Sequence, residues 1–340
     1  CKEDVLVAYG PDAPGSDRSS EWWQIYRPPY EARLHSTSFV ADRSIAFIES
    51  CAESDAPWML WCSFPDPHHP MTPPGEWFDR HRPEDMLLPG SRRDPLTDAP
   101  EHLRIFRNLH PKDQRDWVTP CGFGSDELLR QAIAATYGMI EMVDDRIGRI
   151  LTTLERLGMR DDTLIVFTSD HGDMMGDHSL FLKGFMHYRG TLQVPLVIDA
   201  PGSMSGRTSS LASSIDLAPT VLGLCDVAGF DGIQGRDLRP ILDDPGTEVR
   251  DHVLIEDDIA EITAKLTPIP ARTRTLVTRD YRYTRNSKGE EQLFNLLDDP
   301  DEMQDLKTTD GPARLEMLTR LTDALIAADD SARGAPAAEG

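Results

Sequence analysis

Apolar residues along the chain follow two different spacings. Spacings of three and four residues, which are typical of helices, occur over residues 37–50, 126–158, 214–224 and 312–328. Short continuous apolar runs, which are typical of buried strands, cover residues 58–64, 163–168 and 194–198. Because strands and helices alternate, the pattern predicts an α/β fold with a largely parallel sheet and helices on both of its faces. Residues 71–124, rich in proline and charge, predict a long surface excursion.

The pattern changes near residue 247. Residues 275–285 and 292–297 predict hairpin strands joined near residues 286–289, and an amphipathic helix follows them. We therefore expect an α/β domain over residues 1–246 and a small α+β subdomain over 247–330. The last segment, 331–340, is rich in alanine and glycine and predicts a disordered tail.

The composition and charge of the chain limit the classes of protein and of binding partner that fit it. The chain has 340 residues, 39% of them apolar and 27% charged, and no apolar run long enough to span a membrane. A net charge of −23 repels nucleic acid and anionic lipid. The five cysteines form no CxxC pair, which argues against a disulfide framework or a structural zinc site and favours the cytoplasm over the periplasm. A homo-oligomer is compatible with this composition.

Polar side chains follow two of the predicted strands. Residues 65–70 (PDPHHP) come after one, and residues 169–172 (SDHG) after the other. In open α/β sheets, ligands bind beyond the carboxyl ends of the strands. Adjacent Asp170 and His171 could supply an oxygen and a nitrogen to a divalent ion such as Ca²⁺, Mg²⁺ or Mn²⁺, and the histidine tilts the choice toward Mn²⁺ or Zn²⁺.

Each of these residues also has an ordinary structural explanation. Asp170 could cap the turn that follows it, and Asp66 could form a turn between two prolines. His68 and His69 could be loop histidines. The remaining candidates could be surface or packing residues: Lys183, His178 and His187.

The order of several segments favours the functional explanation. The segments are 63–74 (SFPDPHHPMTPP), 143–151 (VDDRIGRIL), 167–178 (FTSDHGDMMGDH), 183–197 (KGFMHYRGTLQVPLV), 215–220 (IDLAPT), 234–238 (QGRDL) and 293–302 (LFNLLDDPDE). Together they resemble the type I sulfatases of the alkaline-phosphatase superfamily, in the branch of choline sulfatases and phosphonate monoester hydrolases. The resemblance implies an alkaline-phosphatase-like sheet sandwiched by helices, incomplete at its N-terminus.

The resemblance also implies roles for individual residues. Asp170 and His171 match two ligands of one divalent metal ion, with Ca²⁺ ahead of Mn²⁺ and Mg²⁺. Lys183 matches the lysine that contacts the sulfate or phosphate oxygens, and His68 matches the general acid for the leaving alcohol. His187 matches a position near the same edge of the sheet, where it is expected to bind the substrate together with Lys183 and His68. The implied substrate is a small-molecule sulfate, phosphate or phosphonate ester, so the protein is expected to be an enzyme, a sulfuric ester hydrolase.

The nucleophile of that family has no counterpart in this sequence. It is a formylglycine made from the cysteine of C-x-P-S-R, or a serine in its place, and none of the five cysteines lies in such a motif. We therefore expect the formylglycine upstream of residue 1 and this chain, as an N-terminally truncated fragment, to be inactive alone. Two alternatives stay open: a phosphonate or phosphate ester hydrolase of the same superfamily, and a catalytically inactive binding or scaffold protein.

Overall fold

The computed structural model describes residues 10–17, 20–109, 121–122, 124–260, 264–265, 267 and 269–332. The α-helices are α1 (Ser36–Cys51), α2 (Glu76–Asp79), α3 (Glu101–Asn108), α4 (Asp126–Arg156), α5 (Arg189–Leu192), α6 (Leu217–Leu224), α7 (Arg239–Asp243) and α8 (Gly311–Ala332). The strands are β1 (Cys121–Gly122), β2 (Ile165–Thr168), β3 (Leu180–Phe181), β4 (Leu196–Asp199), β5 (Val253–Asp258), β6 (Arg272–Val277), β7 (Tyr281–Asn286) and β8 (Glu291–Asn295).

The chain folds as two compact units. The first contains residues Cys1–Arg92, Arg107–Thr163 and Met175–Leu182. The second contains residues Arg93–Phe106, Leu164–Met174 and Lys183–Gly340. The segment 167–178 is therefore divided between the units. Asp170, His171 and Lys183 all belong to the second unit. The predicted boundary at residue 246 stays a prediction, and most of the predicted tail lies outside the described residues.

Helix α4 is the centre of the first unit. The Ser125 hydroxyl accepts the backbone N–H of Leu128 at 3.1 Å, and Gly158, with φ +69°, follows the C-terminus. Its apolar face packs in a core with Trp22, Met71 and Phe181, all at most 1% exposed. Helix α1 packs beside it. Both helices confirm the predicted spacing.

Two predictions in the first half of the chain are wrong. Residues 58–64 pair with no other strand among the described residues, and Met59 and Trp61 are 74% and 77% exposed. A strand forms only where a neighbour accepts its backbone hydrogen bonds, which the apolar run alone does not provide. Residues 71–124 are also more than a surface excursion, because Trp77, Met86 and Leu103 are buried.

Strands β2 and β4 form a ladder in the second unit. They run antiparallel, with Val166 opposite Ile198. The other ladders in the described part of the chain are antiparallel too, and the one parallel contact is the isolated bridge between Ile25 and Met71. The parallel arrangement predicted for these strands is therefore wrong. Strand β4 runs back beside β2 in the opposite direction.

The C-terminal part of the second unit is an antiparallel sheet in the order β5-β6-β7-β8, with α8 packed on it. Leu276, Tyr283 and Leu293 form its core with Met317 and Leu321 of α8. The predicted strand over 275–285 is two strands, because the Thr278 hydroxyl accepts the N–H groups of Asp280 and Tyr281 at 3.3 and 3.0 Å and turns the chain. Within the described ranges, no helix is both long and apolar enough to cross a membrane.

Candidate functional site

A short turn after β2 carries Asp170 and His171. The backbone N–H of His171 donates to Asp170 Oδ1 at 3.0 Å, and the Ser169 hydroxyl donates to the His171 carbonyl at 2.9 Å. Gly172 donates its N–H to the Thr191 carbonyl at 2.9 Å. A Cβ at Gly172 would lie 2.0 Å from the Gly190 carbonyl oxygen, so only glycine lets the turn approach α5 this closely.

The side chains of Asp170 and His171 lie close to each other. The His171 ring lies with Nδ1 at 2.8 Å from the Gly172 carbonyl, so Nδ1 carries the hydrogen and Nε2 has the lone pair in the neutral ring. His171 Nε2 lies 3.6 Å from Asp170 Oδ2, and the Asp170 side chain is 84% exposed. One imidazole nitrogen and one carboxylate oxygen thus face the same region.

The pair is smaller than a complete metal site. Among the residues that the structure describes, no three His, Cys, Asp or Glu side chains are grouped for a metal ion. Hard divalent cations take about six ligands. The chemistry of the donors fits such an ion, and Asp170 and His171 would contribute two of its ligands.

Lys183 lies in a backbone segment of unusual conformation. Leu182, Gly184 and Phe185 have φ values of 69°, 93° and 58°, which lie in the left-handed region. Partial burial lowers the pKa of Lys183, and the carboxylates of Asp173 and Asp170 oppose that shift. The ammonium therefore lies in the field of the same aspartate that could bind a metal ion, and both belong to the second unit.

His187 is buried against the C-terminal sheet rather than exposed on a loop. Its Nδ1 lies 2.8 Å from the Thr275 hydroxyl, and its Nε2 lies 3.5 Å from Asp257 Oδ2. The ring is 5% exposed. These contacts fix the segment that begins at Lys183, and the substrate-binding role expected for His187 stays a prediction.

His68 belongs to the first unit. Its Nδ1 donates to the His69 carbonyl at 2.7 Å, and the two imidazole rings stack with centroids 4.0 Å apart. Because Nδ1 carries that hydrogen, Nε2 is the atom at which the ring gains and releases its second proton. His69 is buried and His68 is exposed, so only His68 suits exchange of a proton with a ligand.

A buried polar cluster includes Asp66, two residues before His68 in the chain. Asp66 accepts a short hydrogen bond from the Thr37 hydroxyl and lies 3.4 Å from His35 Nδ1. Burial raises the pKa of Asp66 and lowers the pKa of His35. The sequence indicated only a turn at Asp66 and did not indicate His35, because these residues are far apart in the chain. A histidine at the N-cap of a helix was the one available signal.

Sequence comparison finds two family models on this chain. The model described as "Sulfatase" matches residues 13–227, and the model described as "N-sulphoglucosamine sulphohydrolase, C-terminal" matches residues 176–330. An arylsulfatase of Clostridium perfringens is 32% identical over 285 residues, covering 82% of this chain and 54% of that protein. A choline-sulfatase of Rhizobium meliloti is 31% identical over 282 residues, covering 81% and 51%.

Solved structures give the same fold. The phosphonate monoester hydrolase of Agrobacterium radiobacter superposes with a TM-score of 0.76 at 25% identity, covering 96% of this chain and 66% of that one. The enzyme of the same description from Silicibacter pomeroyi superposes with a TM-score of 0.73, also at 25% identity, covering 88% and 61%. The predicted alkaline-phosphatase-like α/β fold is confirmed. The chain spans about half the length of the curated relatives it matches.

Proposed function

The chain belongs to the type I sulfatase family of the alkaline-phosphatase superfamily, and from that premise we propose that the protein containing it hydrolyses sulfuric esters of small molecules with the help of one divalent metal ion. The observation that carries the proposal is the proximity of Asp170 and His171, with the ammonium of Lys183 in the field of Asp170. These groups supply what hydrolysis of an anionic sulfate ester needs, namely ligands for a metal ion and a fixed positive charge near the sulfate oxygens.

We propose a distinct task for each residue. Asp170 and His171 would hold the metal ion, which when bound would supply positive charge next to the ester oxygens. Lys183 binds a sulfate oxygen and stabilises the charge that grows on it as the ester bond breaks. His68 donates the proton on Nε2 to the departing alkoxide, and its hydrogen bond to the His69 carbonyl keeps that nitrogen as the titrating atom. The nucleophile is expected from a segment outside this sequence.

A second candidate function is the hydrolysis of phosphonate or phosphate esters. It is favoured by the superposition on the phosphonate monoester hydrolase of Agrobacterium radiobacter over 96% of this chain. Sulfate and phosphonate monoesters both present anionic oxygens around a tetrahedral centre, so one lysine and one metal ion suit either of them.

The decisive experiment compares substrates with the full-length protein. Steady-state rates are measured on an aryl sulfate, choline sulfate, a phosphonate monoester and a phosphodiester, before and after removal of metal with a chelator. We expect the highest kcat/KM on a sulfate ester and loss of turnover after chelation, restored by Ca²⁺ or Mn²⁺. A higher kcat/KM on the phosphonate ester establishes the second candidate. Absence of turnover on all four esters refutes both.

Metal binding has its own test. Titration calorimetry with Mn²⁺ is carried out on the full-length protein and on the Asp170→Asn variant. The loss of one carboxylate ligand is expected to weaken binding by at least the roughly 10- to 100-fold that loss of an outer-shell partner of a ligand typically costs. Asp161→Asn is the matched control, because Asp161 is an exposed aspartate before β2 and should leave the affinity unchanged. Equal Mn²⁺ affinity of the Asp170 variant and the wild type would refute the assignment of Asp170.

A further inference from the structure

The peptide groups of Phe185 are held from two sides by side chains far away in the sequence. His102 Nε2, on α3, lies 2.9 Å from the Phe185 carbonyl oxygen and donates to it. The Phe185 N–H donates to Asp257 Oδ2, on β5, at 3.2 Å. Both side chains belong to the second unit, as does Lys183 two residues before Phe185. We call His102 and Asp257 the Phe185 clamp.

The backbone held by this clamp is strained. Phe185 has φ 58°, a left-handed conformation that is unfavourable for a residue with a bulky side chain. Such a conformation persists only where surrounding contacts hold it, and it is frequent at functional sites. Gly184, with φ 93°, adopts a related conformation without that cost. The turn that orients Lys183 therefore depends on contacts from outside the turn.

His102 is suited to hold a main chain rather than to exchange protons with solvent. His102 is 2% exposed, and burial lowers its pKa, so the neutral ring presents its single N–H to the Phe185 carbonyl. Its Nδ1 has no hydrogen-bond partner among the described residues. Asp257 is braced in turn, because its Oδ2 lies 3.5 Å from His187 Nε2, and His187 is anchored on the Thr275 hydroxyl.

We propose that His102 and Asp257 are positioning residues for Lys183: by holding both peptide groups of the strained residue Phe185, they fix the direction in which the lysine ammonium reaches the anionic ester. This inference rests on the proposed function of Lys183. His102 and Asp257 act through the backbone of Phe185 and do not themselves contact the ester. Loss of either one lets the turn relax and misplaces the ammonium, and small misplacements of a catalytic group can cost about 100-fold in rate.

The first test measures the clamp without any activity. Amide hydrogen exchange of a fragment covering residues 183–187 is followed by mass spectrometry in the full-length protein. Asp257→Ala removes the acceptor and is expected to speed exchange in this fragment at least tenfold, whereas Asp257→Asn keeps an oxygen acceptor and should stay close to wild type. Asp258→Ala is the matched control, since Asp258 is the next residue on β5 and pairs with Arg274 instead. Unchanged protection in Asp257→Ala overturns the proposal.

The second test measures the consequence for catalysis. We expect Asp257→Ala and His102→Ala to lower kcat by about 10- to 100-fold, and Asp257→Asn and His102→Gln to restore most of the rate. In a Lys183→Ala background, Asp257→Ala should have little further effect, because the group it positions is gone. Equal loss in both backgrounds would mean a general structural effect and would overturn the proposal.

The two tests also separate this inference from the function beneath it. If the wild-type protein turns over none of the esters, the proposed function fails while hydrogen exchange still decides whether the clamp holds the turn. Asp257→Ala could lower the melting temperature far more than Asp258→Ala does. In that case hydrogen exchange is measured in His102→Ala, which removes the hydrogen bond to the Phe185 carbonyl instead. Wild-type protection in that variant as well would overturn the clamp.

Discussion

Arg282 and Glu302 form an ion pair whose side chains are both only 2% exposed. Glu302 also accepts the backbone N–H of Arg189 at 2.7 Å. The guanidinium of Arg282 lies 4.9 Å from the ring centroid of Tyr188 and 4.7 Å from that of Phe294. The pair therefore links strand β7 to the segment that follows Lys183, and it is part of the support for that side of the site.

Removal of one member of this pair should be strongly destabilising. Arg282→Met leaves the Glu302 carboxylate buried without its cation, which typically costs about 3–5 kcal/mol of unfolding free energy. Urea unfolding monitored by circular dichroism measures the change. Arg279→Met is the control, because Arg279 and its partner Glu248 are 70% and 62% exposed, and it should change the value by less than about 1 kcal/mol. Similar values for the two variants would contradict this prediction.

Gly172→Ala should disturb the turn that carries Asp170 and His171. The added Cβ would lie 2.0 Å from the Gly190 carbonyl oxygen, and that atom belongs to the backbone and cannot rotate away. We expect weaker Mn²⁺ binding and a lower melting temperature. Gly148→Ala is the matched control, since nothing lies within 4 Å of its added Cβ on helix α4 and alanine should stabilise the helix by about 1 kcal/mol. Wild-type metal affinity in Gly172→Ala would count against this account of the turn.

Lys183→Ala should lower kcat/KM of the full-length enzyme by about 100- to 1,000-fold, the usual cost of removing one group that stabilises transition-state charge. Lys288→Ala is the control, because Lys288 pairs with Glu101 on the surface. Steady-state kinetics on an aryl sulfate measures both variants. An unchanged kcat/KM for Lys183→Ala would show that this lysine does not contact the reacting group.

His68→Ala should be sensitive to the leaving group. A poor leaving group such as an alkyl alcohol needs a proton as it departs, whereas nitrophenolate does not, so the loss should be large for choline sulfate and small for nitrophenyl sulfate. His81→Ala provides the comparison, since His81 pairs with Glu141 in the first unit. Equal losses on the two substrates would exclude a general-acid role for His68.

His102 should make the protein less stable in acid. Burial lowers its pKa from the ordinary value of 6.5, while the hydrogen bond to the Phe185 carbonyl opposes the shift. The unfolded chain therefore takes up a proton at this ring before the folded chain does, and the unfolding free energy falls as the pH drops below about 6.5 toward the lowered folded-state pKa.

His102→Gln removes this titration and keeps an N–H donor. The unfolding free energy of the wild type minus that of the variant should therefore be larger near pH 7.5 than near pH 5. Urea unfolding at the two pH values measures it. The comparison with the variant cancels the contributions of His35 and Asp66, whose pKa values are shifted in opposite directions by burial. An equal difference at both pH values would contradict the prediction.

How well the sequence predicted an element depended on whether the signals for that element are local in the chain. Helix α4 was predictable because its apolar spacing, its Ser125 cap and the glycine after it are all local signals. Helix α8 was predictable for the same reason, whereas β5 was not predicted and the predicted strand over 275–285 is two strands. The segment 58–64 was predicted wrongly because an apolar run does not reveal whether a neighbouring strand is there to pair with it. The direction of β4 beside β2 also depends on the path of the chain between them.

The sequence by itself determined the family of this protein and the candidates Asp170, His171, Lys183 and His68, because motifs record the residue types and spacings that a chemistry needs. Tertiary structure alone decided which residues support them. His102 and Asp257 meet at Phe185, although they are far apart in the chain and lie in stretches without a motif. Hydrogen bonds between distant side chains and a strained backbone leave no local pattern, so only the folded chain reveals them.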